Sequence, residues 1–285
     1  MCEDKLGTLV RDSVERYQAS DSWEEYVEDR RGRSYIKSDV GQVKHPAAKF
    51  LDDLRIHGVP AKAATPEWTL EEHDNKFYRG AHATAEMHKA FVREEMAEFI
   101  ECGYWTVLPY RLVRHLPGLR VSPLGVKEER ERKPRLVCDH SFFDVNLETI
   151  LHTPEEAMQF GGALQRILFS VRHADPAHGP VYLSKYDIKD GFYRLFLTAK
   201  DAPMLAVSLP SYEGEEPLVA IPLVLTMGWT ESPPTFSALS ETICDLAIHN
   251  SYKRHVPPHR LEAHCAPQDE WVEDAPVTGP RPASE

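Results

Sequence analysis

The chain has 285 residues, 42% of them hydrophobic, and a formal net charge of −12, which is enough apolar material for a packed core in one or two domains. No run reaches the roughly 18 apolar residues of a membrane span, and the opening MCEDKLGTLVRDS lacks the basic-then-apolar pattern of a signal peptide. The five cysteines (Cys2, Cys102, Cys138, Cys244 and Cys265) form no CxxC pair, so disulfide scaffolds and zinc fingers are not expected and a reducing, cytoplasmic or nuclear setting is.

Residues 1–80 are polar and mixed in charge and read as an N-terminal extension. The pattern around Phe50, Leu51 and Leu54 is amphipathic and helical. Thr84 suits the cap of a helix running to Cys102, with Gly103 as its stop. Met87, Phe91, Phe99 and Ile100 would share the packed face of that helix. Residues 104–108 and 120–121 are strand-like, EERERK at 128–133 reads as an exposed hairpin tip, and 136–138 as its return strand. Residues 139–146 then leave the sheet. VYLSKYDI at 181–188 is rich in β-formers. Two apolar runs, 205–209 and 218–225, are joined by SYEGEEP as a hairpin. Ser232 with Pro233 and Pro234 opens a helix, whose Phe236, Leu239, Ile243 and Leu246 would form one buried face, with Asn250 as its stop. Residues 251–285 are acidic and proline-rich and read as a disordered tail. Their histidines, with His249 and Cys265, fit no closed zinc spacing.

The acidic balance counts against a general nucleic-acid binder. Residues 111–135 are an exception: Arg111, Arg114, Arg120, Lys127, Arg130, Arg132, Lys133 and Arg135 stand against three glutamates, a net of +5. Three segments carry candidate chemistry. In YDIKDGFYRLFLT, alternation puts Asp187 on the face opposite Tyr186 and Ile188, and Asp190-Gly191 makes a turn directly after it. A carboxylate at a strand end beside such a turn suits Mg²⁺. The same letters also read as a plain strand and turn with surface carboxylates. In LTMGWTESPPTF, Gly228 permits close backbone approach, Trp229 offers a flat face, and the Ser-Pro-Pro helix start exposes N–H groups. In KPRLVCDHSFFDVN, Lys133 and Arg135 leave a hairpin where a basic side chain could reach a triphosphate, or form a solvated charge run.

Together, in this order and spacing, the three segments resemble the reverse transcriptases of retrotransposons and retroviruses, over about residues 86–250. The resemblance implies an α+β fold, with an antiparallel palm sheet backed by helices and fingers attached. Residues 81–180 would be fingers-like and 181–250 a partial palm. KPRLVCDHSFFDVN resembles the fingers segment that binds the incoming nucleotide, so Arg135 would hold phosphate. SPLGV with Lys127 resembles the first fingers strand. YDIKDGFY resembles the first palm motif. It makes Asp187 the catalytic metal ligand, with the Ile188 carbonyl beside it, and puts Asp190, Gly191 and Phe192 at the nucleotide, Phe192 as the residue that excludes a ribose 2′-hydroxyl. TMGWTESPPTF resembles the next palm motif. There Met227 and Gly228 would line the nucleotide pocket, and Trp229, Ser232 and Pro233 the template–primer.

The implied activity is RNA-directed DNA synthesis with Mg²⁺, deoxynucleotide triphosphates and an RNA or DNA template–primer. The family also uses an aromatic-x-Asp-Asp turn, which residues 249–285 do not contain. Asp52-Asp53 precedes the first palm motif in a helical setting. The expectation is therefore an incomplete copy without a thumb and without polymerase activity. The alternative is a non-catalytic nucleic-acid-binding or interaction module derived from a retroelement.

Overall fold

The computed structural model describes residues 5–31, 44–130, 132–153, 168–169, 171–181 and 188–254. It is mixed α and β. The described elements are helices α1 (Lys5–Ala19), α2 (Trp23–Arg31), α3 (Ala48–His57), α4 (Leu70–Tyr78), α5 (Ala83–Met87), α6 (Lys89–Glu101), α7 (Tyr110–Val113), α8 (Val145–Glu148) and α9 (Ser232–Arg254), and strands β1 (Trp105–Pro109), β2 (Val121–Glu129), β3 (Arg132–Cys138), β4 (Ala206–Ser208) and β5 (Leu218–Pro222). The chain divides into two compact units, one of residues 1–38, 53–152 and 190–232, the other of 39–52, 153–189 and 233–285. This division does not follow the expected boundaries at 80 and 180.

All five strands belong to the first unit, in the order β1-β5-β4-β2-β3. The sheet is not wholly antiparallel as expected. Val121, Ser122 and Pro123 of β2 pair in parallel with Ala206, Val207 and Ser208 of β4. From Leu124 onward β2 pairs instead with β3 in an antiparallel hairpin, with a bulge between Lys127 and Glu129. The chain path permits the parallel pairing, because β2 and β4 are separated by a long connection and not by a tight turn. The other pairs are antiparallel, and the β4–β5 hairpin forms as expected.

Residues 1–80 are no mere appendage. Leu6 and Val10 of α1 join Val92, Met96 and Ile100 of α6 over Trp105 and Val107 of β1, Leu124 and Val126 of β2, and Ala220 of β5. The packed face of α6 is therefore 92, 96 and 100. Met87, expected there, is exposed, and Phe91 and Phe99 lie at the margin. Thr84 is not the cap of one long helix: the helices break at His88, and the Thr84 hydroxyl accepts from the Val126 N–H instead.

Strand alternation sends Thr106 and Leu108 to the other face of β1. There the Tyr26 hydroxyl of α2 hydrogen-bonds Thr106, and Trp23 Nε1 donates to the Ala199 carbonyl at 2.8 Å. Arg31, at the end of the same helix, donates to the carbonyls of Leu197 and Leu223. Segment 195–197 runs beside 223–225 through Leu197 N–H to Leu223 O and Leu225 N–H to Leu195 O.

In the second unit, Asp175 caps the 3-10 turn Pro176–His178 by accepting from Ala177 N–H. Helix α9, which starts at Ser232 in the first unit, runs past the expected stop at Asn250 to Arg254, so residues 251–254, assigned to the tail, are helical. Its expected apolar face is not its buried one. Thr235, Ser237 and Thr242 are buried, while Ile243 is exposed and Phe236, Leu239 and Leu246 are only partly covered. The Thr242 hydroxyl is satisfied by the Ala238 carbonyl of its own helix at 2.7 Å, which removes the usual cost of burying it. Residues 255–285 lie outside the described part.

Candidate nucleotide and template site

Two of the three sequence segments come together in the first unit. β3 ends at Cys138, and the chain turns through Asp139, His140 and Asp144 into α8. Asp144 adopts a left-handed conformation at φ 61°, which aspartate tolerates better than most residues. This turn presents Asn146 to the loop before α9. Asn146 Nδ2 donates to the Gly228 carbonyl at 2.9 Å, and its Oδ1 accepts from Thr230 N–H at 2.9 Å. The same Nδ2 donates to Ser141 Oγ. One amide thus closes both segments on each other. Gly228 sits at φ 110°, and a Cβ there would stand 2.1 Å from the Cys138 carbonyl oxygen. Only glycine lets the two backbones approach this closely.

The loop's other side chains turn inward. Trp229 is 1% exposed, and its Nε1 donates to Thr149 Oγ1, which donates in turn to the Val145 carbonyl. Glu231 is buried and accepts from His152 N–H at 3.1 Å, with His152 Nδ1 at 2.9 Å. Ser232 is fully buried. Both side chains expected at the template–primer, Trp229 and Ser232, are thus buried in this structure. An aromatic beside a glycine looks like a platform in the sequence, but here the indole N–H has a buried partner, and burial satisfies both its ring and its polar end. Pro233 is partly exposed and Met227 exposed.

His140 lies between the two segments. It is completely buried, with Nδ1 3.1 Å from Ser122 Oγ and Nε2 3.3 Å from Thr226 Oγ1. Burial lowers its pKa to about 4, and the nearby Asp139 opposes the shift only partly. The folded state therefore holds His140 neutral, whereas the unfolded chain takes up a proton near pH 6.5. Between those values the unfolded state binds more protons, so stability falls as pH drops from about 6.5 towards 4 and is fully present above that window. The full shift corresponds to about 3 kcal/mol. In urea titrations at pH 4.5 and 7.5, wild type should lose about 2 kcal/mol more than His140→Gln on acidification. Equal losses in the two proteins would remove His140 from the account. Burial also pushes the neighbouring Cys138 thiol up to about 12, so it is inert as a nucleophile at neutral pH.

The first palm-like segment is only partly described. Asp187 and Tyr186 lie outside the described residues, as does the strand expected over most of 181–188. Ile188 is exposed. Asp190 has φ 55° at the expected turn, and Gly191 precedes the 3-10 turn Phe192–Arg194. The Tyr104 hydroxyl has its pKa raised by burial and by the nearby Asp190 carboxylate. Tyr193 packs on Phe99 and Tyr104 at 5.3 and 5.0 Å, and burial raises its pKa as well. Among the described residues no three His, Cys, Asp or Glu side chains converge as a metal site. Ile188 and Asp190 alone do not make an Mg²⁺ ligand set.

Five of the eight cations of the basic run are paired with carboxylates. Arg135 pairs with Glu129 across the hairpin, Lys133 with Glu95 and, at 3.8 Å, Glu98 of α6. Arg111 pairs with Glu216, Arg114 with Asp74 at 2.9 Å, and Arg120 with Glu148. Lys127, Arg130 and Arg132 remain exposed on the hairpin. Lys127 and Arg135 face each other in register, so the two expected phosphate ligands do share one patch. The site residues that sequence reading passed over are Asn146 and His140. Asn146 ended the fingers-like segment, which was the signal available. His140 carried none, because its role depends on Ser122 and Thr226, both remote in sequence.

No family profile matches the chain, and no curated protein shows significant similarity to it.

Proposed function

We propose that the chain is a reverse-transcriptase-like domain of retroelement origin that binds a deoxynucleotide triphosphate and a template–primer but does not by itself complete the polymerase reaction. The observation that carries this reading is the clamp of Asn146 on Gly228 and Thr230. It joins, at the backbone level, the fingers-like and palm-like segments that were paired on resemblance alone. In this reading Arg135 and Lys127 receive the triphosphate, and Asp190, Gly191, Phe192, Met227 and Gly228 lie along the nucleotide. Asp187 with the Ile188 carbonyl would be the place for Mg²⁺, whose role in the family is to stabilise charge on the transferring phosphates. Asp-Asp occurs in the chain only at Asp52-Asp53, in α3. The alternative, a non-catalytic nucleic-acid-binding or interaction module, is favoured by one observation: Trp229 and Ser232 are buried instead of lining a groove.

The test is a titration of the full chain with a fluorescent deoxynucleotide triphosphate in Mg²⁺, paired with primer extension on an RNA template. Arg135→Ala should weaken triphosphate binding by about 1.5–3 kcal/mol, the scale of a charge-assisted hydrogen bond. Extension should be undetectable. Unchanged affinity in Arg135→Ala defeats the nucleotide role, and robust extension lost in Asp187→Ala shows that the chain completes its own metal site.

A further inference from the structure

Phe142 and Phe143 of the fingers-like segment have no part in the reading above, yet they belong to an ordered cluster. Asp139 Oδ2 lies 3.0 Å from His82 Nε2. The other ring nitrogen, His82 Nδ1, lies 3.5 Å from Arg79 Nη2. With Nε2–H donating to the carboxylate, Nδ1 is the acceptor for the guanidinium. Arg79 Nη1 donates to the Gly80 carbonyl, and the guanidinium carbon stands 4.2 Å from the centroid of the Phe142 ring. Arg79 is thus held over an aromatic ring, tethered through His82 to Asp139 and through the Gly80 carbonyl. It has no carboxylate partner among the described residues, in contrast to Arg111, Arg114, Arg120 and Arg135. Phe142 keeps 45% of its surface exposed although one face carries the guanidinium. Its edge is fixed by perpendicular contacts to Phe143 at 4.8 Å and His82 at 5.3 Å. Behind it, Lys76 sits 3.4 Å from the Trp68 centroid and 5.5 Å from that of Phe143.

We propose that Arg79 and Phe142 form a surface site for one nucleotide of unpaired nucleic acid, with the base stacking on Phe142 and the phosphate on the outward N–H groups of Arg79. A guanidinium tethered at two of its nitrogens, with further donors unused, matches phosphate geometry. An exposed ring beside it supplies the sequence-tolerant stacking that single strands offer. A lone apolar patch would suit a protein partner better, but here Phe142 carries Arg79, and Trp68 and Phe143 carry Lys76. The choice of nucleic acid as ligand rests on the function proposed above. His82 and Asp139 are positioning residues. With an overall charge of −12, binding should be weak and confined to low salt.

The experiment is fluorescence anisotropy of the full chain with a labelled 20-mer of thymidine, and with an abasic 20-mer of the same phosphate backbone, at low and moderate salt. Phe142→Ala should weaken thymidine binding about ten-fold and leave abasic binding unchanged. Arg79→Ala should weaken both and reduce the salt slope by about one. Arg79→Lys should fall between, because it keeps charge and loses the planar fork, and His82→Ala should resemble it. The three substituted side chains lie at or near the surface, so melting temperatures serve as the folding control. Wild-type affinity in both Phe142→Ala and Arg79→Ala overturns the site while leaving the function above intact. No binding of either oligonucleotide by the wild type also overturns it, and the triphosphate titration then decides separately whether that function stands. Capture of a glutamate-rich tyrosine peptide through Arg79, without oligonucleotide binding, reassigns the patch to a protein partner and overturns it likewise.

Discussion

Gly228→Ala should destabilise the first unit by about 4 kcal/mol, combining the cost of an unusual backbone conformation with that of a backbone clash. The position combines two constraints that rarely coincide. Its φ of 110° is disfavoured for any residue with a Cβ, and the added carbon would lie 2.1 Å from the Cys138 carbonyl oxygen. That oxygen belongs to the end of β3 and cannot retreat like the tip of a flexible side chain. The loop must therefore move, and moving it breaks both bonds that Asn146 makes to it. Asn146→Ala should cost about 1–2 kcal/mol by itself, since it removes those bonds without the clash. Urea unfolding of the two variants and of the double variant checks this. If the clash already opens the clamp, the double variant will be little worse than Gly228→Ala. A Gly228→Ala midpoint close to wild type would mean that the two segments are not locked together in solution.

Arg31→Ala should destabilise by about 3–4 kcal/mol, through an orphaned carbonyl, lost charged hydrogen bonds and a void. The Arg31 side chain is fully buried, a costly position for a cation unless its donors are used. It meets the Leu197 and Leu223 carbonyls and, at 3.0 Å, Glu28 of the same helix, and it lies 5.2 Å from the centroid of Phe196. Segment 195–197 is bridged through its backbone to Val59 on one side and to 223–225 on the other, and neither set of bonds involves α2. Arg31, with Trp23 through the Ala199 carbonyl, ties α2 to the segment that follows Asp190 and Phe192. Arg31→Lys keeps the charge but cannot reach two carbonyls with a planar fork, and should recover less than half of the loss. Thermal unfolding measures both. Recovery of full stability by lysine would show that charge alone, and not the fork, is what the site needs.

The local elements were legible in the sequence where chemistry and periodicity agreed. The 104–108 strand, the hairpin around 128–133, the Asp190-Gly191 turn, the β4–β5 hairpin and the helix opening at Ser232 all follow from alternation, turn residues or proline placement, which act over a few neighbours. The special role of Gly228 was also visible, as a glycine between an apolar run and a tryptophan.

Tertiary structure decided the rest, because partners far apart in sequence set it. Residues 1–80 looked polar, yet Leu6, Val10, Trp23 and Tyr26 are enough to bring two helices into the core. Trp229 faced outward on paper and turns inward because Thr149 waits for its N–H. The basic run promised a positive surface, but glutamates from β2, α6 and α8 and from the loop before β5 cancel much of it. The parallel β2–β4 pairing and the contact of buried His140 with Thr226 span more than 80 residues. Composition and periodicity carry local preference, whereas the identity of a distant neighbour is written only in the folded chain.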